Sequence, residues 1–331
     1  MTQSPISRVL KGPLRTPGRL FSCALAVLVV GLSAVPVAAQ TPLDRVNARY
    51  AEPVSSRRGE RVLLPALAEM ASPPIGVDRL PAARLLPVGA TGWAQAEAWA
   101  TAPEQRAVLD ALRAVTEERR YERAMVFAQP YGVSNISPET IISGMYTDLG
   151  DPPLLAAAHH RYLRAMNDMR ALVHVEATRL VSAGEPAEAA DLLLRLAAFG
   201  RQMADRAMMA EAVWGYETIV DALRRVRDVV HLDFLGERVI DPASLASIVD
   251  RLDAEGFLAM SRLPFPTGNR AAAQQLIDRV YEERGGVRED VFLSTMVRLS
   301  GGDKPLRRFA GASRWDGVAA SQVDWYRANE V

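Results

Sequence analysis

The chain is poor in three residue types. Among 331 residues there is one cysteine, Cys23, there are two lysines, Lys11 and Lys304, and aromatics make up 6%. A lone cysteine excludes an intramolecular disulfide, so packing must hold the fold. With so few aromatics, the core must come from Leu, Ala, Val and Met, a composition that suits helices better than sheets. Alternating β-branched runs and Asn-Gly hairpin turns are missing, so no strand is expected. Arginine supplies nearly all the basic charge, a bias that a GC-rich genome produces without functional demand.

The sequence also lacks motifs. It has no GxxxxGK[ST] phosphate loop, no GxGxxG, no G-x-S-x-G elbow, no Ser-x-x-Lys pair and no HExxH or His-x₃-His spacing. Leu299-Ser300-Gly301-Gly302-Asp303 resembles the signature loop of ABC ATPases. Without a phosphate loop or an apolar strand ending in Asp-Glu, it reads as a glycine-rich turn. No catalytic residue, cofactor or metal site is therefore expected.

Residues 1–39 have the form of a secretory signal. Arg8, Lys11, Arg15 and Arg19 precede an apolar run from Leu20 to Val35, and Val37-Ala38-Ala39 is a small-residue cleavage site ahead of Gln40. An uncleaved anchor is the alternative, because Leu20–Ala39 is about long enough to span a bilayer. Cleavage removes four basic residues and no acidic one, leaving 35 basic against 39 acidic residues, a formal charge of −4. It also removes Cys23. A weakly acidic chain offers no electrostatic footprint for nucleic acid. The expected location is periplasmic or extracellular, or membrane-anchored if the N-terminus is kept.

Residues 40–90 show little periodicity beyond a short helix at Arg61–Ala71. Pro73, Pro74, Pro81 and Pro87 mark them as an extended segment or linker. Residues 91–331 read as the helical domain. Trp93–Ala100 is a short helix, and Pro103 opens another that runs to about Phe127. The stretch 129–153, with Tyr131, is a long Pro- and Gly-rich loop, either packed or ligand-lining.

The strongest helical signal is Leu154–His231, three helices broken at Ala183-Gly184-Glu185-Pro186 and near Arg206. Leu155, Tyr162, Met166, Met169, Val173 and Leu180 share one arc of the first. Leu192, Leu193, Leu196, Phe199, Gly200 and Met203 share a face of the second. The turn Gly184-Glu185-Pro186-Ala187-Glu188-Ala189-Ala190 resembles the turn inside a tetratricopeptide-type hairpin, a likeness covering Glu176–Asp205. It implies an αα-hairpin, and no second copy follows at a period of about 34 residues. Shorter helices follow at Asp241–Glu255, Thr267–Arg284 and Val287–Leu299.

Four histidines, His159, His160, His174 and His231, lack metal spacing. Glu176 falls inside an apolar arc. It must be paired, with an arginine such as Arg201 or Arg206, or be an acid at the floor of a pocket. In the third helix, Met209, Val213, Tyr216, Val220 and Leu223 form part of the expected core stripe. Trp214, Glu217 and Asp221 lie opposite. Trp214 is then either packed under the Pro-rich segment or part of a ligand groove. The fold class expected is all-α, an irregular bundle or αα-hairpin array with an extended N-terminal segment. The expected role is a non-enzymatic interaction or scaffold protein of the bacterial envelope, with an unknown protein or small-molecule partner. The alternative is a ligand-binding module or hydrolase-like enzyme with a pocket between loop 129–153 and the central helices, lined by Glu176, Trp214, Glu217, Asp221 and Tyr131.

Overall fold

The computed structural model describes residues 41–78, 80–118, 123–253, 266–282 and 286–299. The expected signal at 1–39, the glycine turn from Ser300 and the final aromatic segment lie outside the described residues. The chain divides at Ala39, and all that follows concerns the second unit, Gln40–Val331. It is all-α, with twelve helices and a two-stranded sheet among the described residues.

The N-terminal segment is more helical than its sequence suggests. Helix α1 (Pro42–Ala51) starts on a capping box: Thr41 accepts from the Asp44 amide and Asp44 accepts from the Thr41 amide. Helix α2 (Glu60–Glu69) buries Leu63, Leu64 and Leu67 in the main core. Helix α1 corrects the reading of the start of 40–90 as extended chain or linker, and α2 matches the short helix expected at Arg61–Ala71. Only the Pro-rich part past Met70 runs extended, up to a turn at residues 75–77. It is pinned by the Ala71 carbonyl, which accepts from Trp99 Nε1 and Gln105 Nε2. A short helix, α3 (Leu80–Leu85), follows.

Helix α4 (Trp93–Thr101) matches expectation, and α5 (Pro103–Val115) has proline in its first turn. The α5 helix ends twelve residues earlier than Phe127, where Thr116 turns its hydroxyl back to the Leu112 carbonyl. Residues 124–131 lie instead beside α2. Glu60 receives the Ala128 amide on one carboxylate oxygen and Arg58 on the other. Helix α6 (Pro138–Ile142) is capped by Ser137.

Strands β1 (Thr147–Asp148) and β2 (His159–His160) pair antiparallel, so the expectation of no strand is corrected. The first central helix, α7 (Tyr162–Ser182), accordingly starts later than Leu154. The Leu155 amide is taken by Gln275 Oε1, and a 3-10 turn carries Leu155–Ala157. Tertiary pairing overrides the helix propensity of this alanine-rich stretch. Loop 129–153 is packed, as one of its two readings held. Asn47 holds both backbone groups of Tyr131, and Arg298 donates to the Leu149 and Pro152 carbonyls.

Helix α8 (Pro186–Ala204) returns from α7, and α9 (Met209–Leu235) returns from α8. Cross-links between α7 and α9 keep a near-constant offset, Asn167 to Trp214 and Thr178 to Arg225, so these two helices run parallel. Helix α8 meets α9 backbone to backbone. A Cβ on Gly215 would sit 2.5 Å from the Gly200 carbonyl oxygen, and one on Gly200 would sit 2.9 Å from that of Gly215. Helices α10 (Pro242–Asp253), α11 (Thr267–Val280) and α12 (Glu289–Leu299) complete the described chain. Leu276, Val280 and Phe292 form a small separate core with Leu154.

Gly215→Ala is expected to lower stability by about 1–3 kcal/mol through overpacking, although alanine favours a helix. Urea unfolding of the two proteins measures this, and an unchanged or higher midpoint would contradict the close crossing.

Candidate functional site

The buried face of α9 is rotated from the sequence reading: Ile219 and Val226, also expected in the core, are buried and Glu217 is exposed as expected, but other positions differ. Glu211, Trp214 and Thr218, placed on the wet side, are buried together with Ala212, Gly215 and Ala222. Met209, Val213 and Val220, placed in the core, are 40%, 43% and 46% exposed. Hydropathy misleads here because close contact with α8 demands small residues, and the polar groups of Glu211, Trp214 and Thr218 find partners. The Thr218 hydroxyl bonds to the Trp214 carbonyl of its own helix.

Glu211 is the centre of a closed polar knot. It is 0% exposed, and Arg206, in the turn between α8 and α9, places Nε 2.7 Å from its Oε1. Tyr131 donates to Oε2 at 2.5 Å, and Tyr162 donates to Oε1. His160 Nδ1 stands 3.9 Å from Oε1. The Arg206 guanidinium lies over the rings of Tyr50 and Tyr131, at 4.0 and 4.7 Å from their centroids. The Ala207 amide donates to the Tyr50 hydroxyl. Burial alone would raise the Glu211 carboxyl, but Arg206, then His160 and the two phenols, outweigh it and hold it below its ordinary value. Burial raises both phenols, Tyr131 and Tyr162, well above theirs. Burial also lowers His160, against the pull of Glu211. The knot therefore holds one ion pair with neutral tyrosines and a neutral histidine. It ties α1, the 127–131 segment, β2, α7 and α9 together. Sequence reading reached Tyr131, offered Arg206 as a partner of Glu176, placed Glu211 on the wet face, and missed Tyr50. The available signal was an arginine set between Met203 and Met208.

The other expected site residues are dispersed. Glu176 is fully buried and paired, but its partners are Arg179, on both oxygens, and Arg106 of α5 at 2.9 Å. Arg206 belongs to the knot, and Arg201 pairs with Asp205. Trp214 packs edge-on against Phe199 and donates to Asn167. Asp221 bridges Arg84 of α3 and Arg170 of α7. Glu217 is exposed. Loop 129–153 does line a hollow of about 300 Å³ with Gln129, Pro130 and Asn135. Its opposite wall is Arg58 with Glu60 and Arg61 of α2, and not the central helices. Glu176, Trp214 and Tyr131 thus share no pocket among the described residues.

One arrangement was not legible as a unit. Asn167, Arg170, His174 and Thr178 recur at helical spacing on α7 and face α9. Arg170 lies 5.4 Å from the Trp214 ring centroid and 2.8 Å from Asp221, and Arg225 donates to Thr178. His174 is fully buried between these levels. Burial, followed by Arg225, Arg170 and Arg84, pushes it down to about 3. Among the described residues, no three His, Cys, Asp or Glu side chains come together in a way that could hold a metal ion. Comparison with protein families, with curated proteins and with solved structures finds no match.

Two outcomes are expected. Glu211→Ala leaves Arg206 buried without a partner and should cost about 3–5 kcal/mol in urea unfolding. Adding Arg206→Met should recover part of that loss, and a double variant no better than the single would contradict the pairing. His174 stays neutral when folded but takes a proton near pH 6.5 when unfolded. Its contribution is complete above that pH and falls by about 1.4 kcal/mol per unit as pH drops toward 3. The stability of His174→Gln should therefore depend less steeply on pH between 6 and 4 than that of the wild type. Parallel curves would show that His174 titrates normally.

Proposed function

We propose that this chain is an exported, non-enzymatic interaction protein of the bacterial cell envelope, and that it docks a partner helix on the outer face of α9. The observation that carries the reading is the apolar seam Met209, Val213, Tyr216, Val220, Leu223, Val230 and Phe234, in which Met209, Val213, Val220 and Phe234 are exposed while Leu223 and Val230 also pack against the core. Its spacing alternates four and three residues, interrupted once at Arg227. This is the a/d spacing of a helix that packs against another helix. Phe234 is 61% exposed, and Leu232 and Leu235 beside it are exposed too. The connection to α10 is held tightly, because Asp233 accepts from the Val239 and Ile240 amides. On α10, Leu245, Val249 and Leu252 form a further exposed stripe. Apolar stripes of this length on outer helix faces mark interaction surfaces more often than they occur idly.

The polar groups support the same reading. The Glu211 knot is closed, Glu176 is neutralised by two arginines, and neither presents an acid to a substrate. The signal-like sequence at 1–39 supports export. Among the described residues no helix is long and apolar enough to cross a membrane.

Because the mature chain has no native cysteine, a single engineered one can carry a photocrosslinker. A crosslinker at Val220→Cys should give one discrete adduct in intact envelopes, and one at the exposed Ser182→Cys should not. Adding Val213→Asp should abolish the Val220→Cys adduct while leaving the unfolding midpoint within about 0.5 kcal/mol of its parent. Equal labelling at both sites would sink the docking assignment. N-terminal sequencing of the native protein should begin at Gln40, and a start at Met1 would overturn cleavage.

A further inference from the structure

Four buried side-chain nitrogens between α7 and α9 make no hydrogen bond within the protein: Arg170 Nε, Arg225 Nε, and Nδ1 and Nε2 of His174. They belong to three residues on successive turns of the α7–α9 seam, with His174 between Arg170 and the Thr178 that Arg225 bonds, and α3 also brings Arg84. Three guanidinium groups thus surround a fully buried neutral imidazole. The carboxylate in contact with them is Asp221, which already bridges Arg84 and Arg170. Glu217 and Asp228 act on Arg170 and Arg225 only through space, and Asp228 is hydrogen-bonded to Arg227. Positive charge therefore exceeds negative charge in a seam mostly shielded from water. Burial works against the charge of both Arg170 and Arg225.

A purely structural ion network would match its charges, because an uncompensated buried cation is costly. The Glu211 centre of this same protein is matched in that way, and the second arginine on Glu176, Arg106, has a side chain 37% exposed, where water solvates it. The α3–α7–α9 seam differs in depth, with the Arg170 side chain 5% exposed beside a fully buried His174, and its unclaimed groups are donors: two guanidinium Nε–H and one imidazole N–H. Guanidinium forks fit the planar or tetrahedral oxygens of small oxyanions. The side chains of Arg84 and Asp221 are 30% and 21% exposed, so the seam reaches solvent at that edge. The depth of His174 suits a free ion and not a group fixed to a large molecule.

We propose that the seam between α3, α7 and α9 is a binding site for a small soluble oxyanion, a phosphate or carboxylate, held by Arg84, Arg170, Arg225 and the ring N–H of His174. The neutral imidazole supplies a donor without adding charge repulsion. Arg170 and Asp221 fix the inner wall, and Arg84 closes the outer one. This assignment is independent of the helix-docking face, which lies on the other side of α9.

The test is calorimetric titration of the full chain with inorganic phosphate and, separately, acetate, each at constant ionic strength against chloride. Saturable binding of either ion supports the site and names its class. Heats no larger than those of chloride for both ions overturn it. Arg84→Gln, a change at the partly exposed edge, should weaken binding about tenfold by removing one charged hydrogen bond. His174→Phe keeps a ring but removes the donor and should weaken binding similarly. If Arg84→Gln and His174→Phe bind as tightly as the wild type, the ion sits elsewhere and the proposal fails. Should His174→Phe unfold, Arg84→Gln alone decides the matter.

Discussion

The fold depends on satisfying one buried charge. Arg206 lies in a turn of four residues between two long helices, with no water to solvate it. Its guanidinium needs an anion, and the first turn of α9 supplies Glu211. That carboxylate has more acceptor capacity than one arginine fills, and two tyrosines complete it. Each tyrosine belongs to a different part of the chain, so hydrogen-bond satisfaction at one residue fixes the positions of distant segments. The aromatic faces above the guanidinium serve the same end, giving the cation favourable contacts where water is excluded.

Legibility in the sequence follows from how each residue is held in place. The α7–α8 hairpin could be read because Gly184 and Pro186 act locally and the Leu192–Met203 face is plainly apolar. Helix α1 could have been read from Thr41-Pro42-Leu43-Asp44, a local capping signal. What could not be read is what depends on distant partners. Residues 154–158 have helical composition, yet Gln275 claims the Leu155 amide from 120 positions away. Glu176 looked anomalous and was, but its partners depend on the register of α5 against α7. Trp214 reads as covered by the Pro-rich segment or lining a groove because its neighbours are polar; it packs on Phe199 instead, with Glu211 and Thr218 buried beside it and Glu217 exposed.

Helix α9 shows why hydropathy alone misplaces part of a helix face. Two faces compete for the core. One is apolar and bulky, from Met209 to Leu223. The other is small and polar, around Gly215. The core takes the second, because α8 can approach Gly215 to backbone contact and Trp214 then seals the gap against Phe199. Dispersion over a close crossing replaces the burial of large side chains. The displaced apolar seam is the natural place to look for a partner, and the polar seam behind it carries the surplus of arginine.

The sequence span of the knot has a kinetic consequence. Tyr50 and Ala207 meet across 157 residues, and Tyr131 and Glu211 across 80. Such closures carry a large entropic cost and form late, whereas the α7–α8 hairpin is local and forms early. Until α9 begins, Arg206 has no carboxylate and the tyrosines have no acceptor. A chain emerging from its N-terminus therefore cannot lock α1 in place until its first two hundred or so residues are out. Under the export proposed above, such delay is an advantage: the fold closes only after most of the chain has passed.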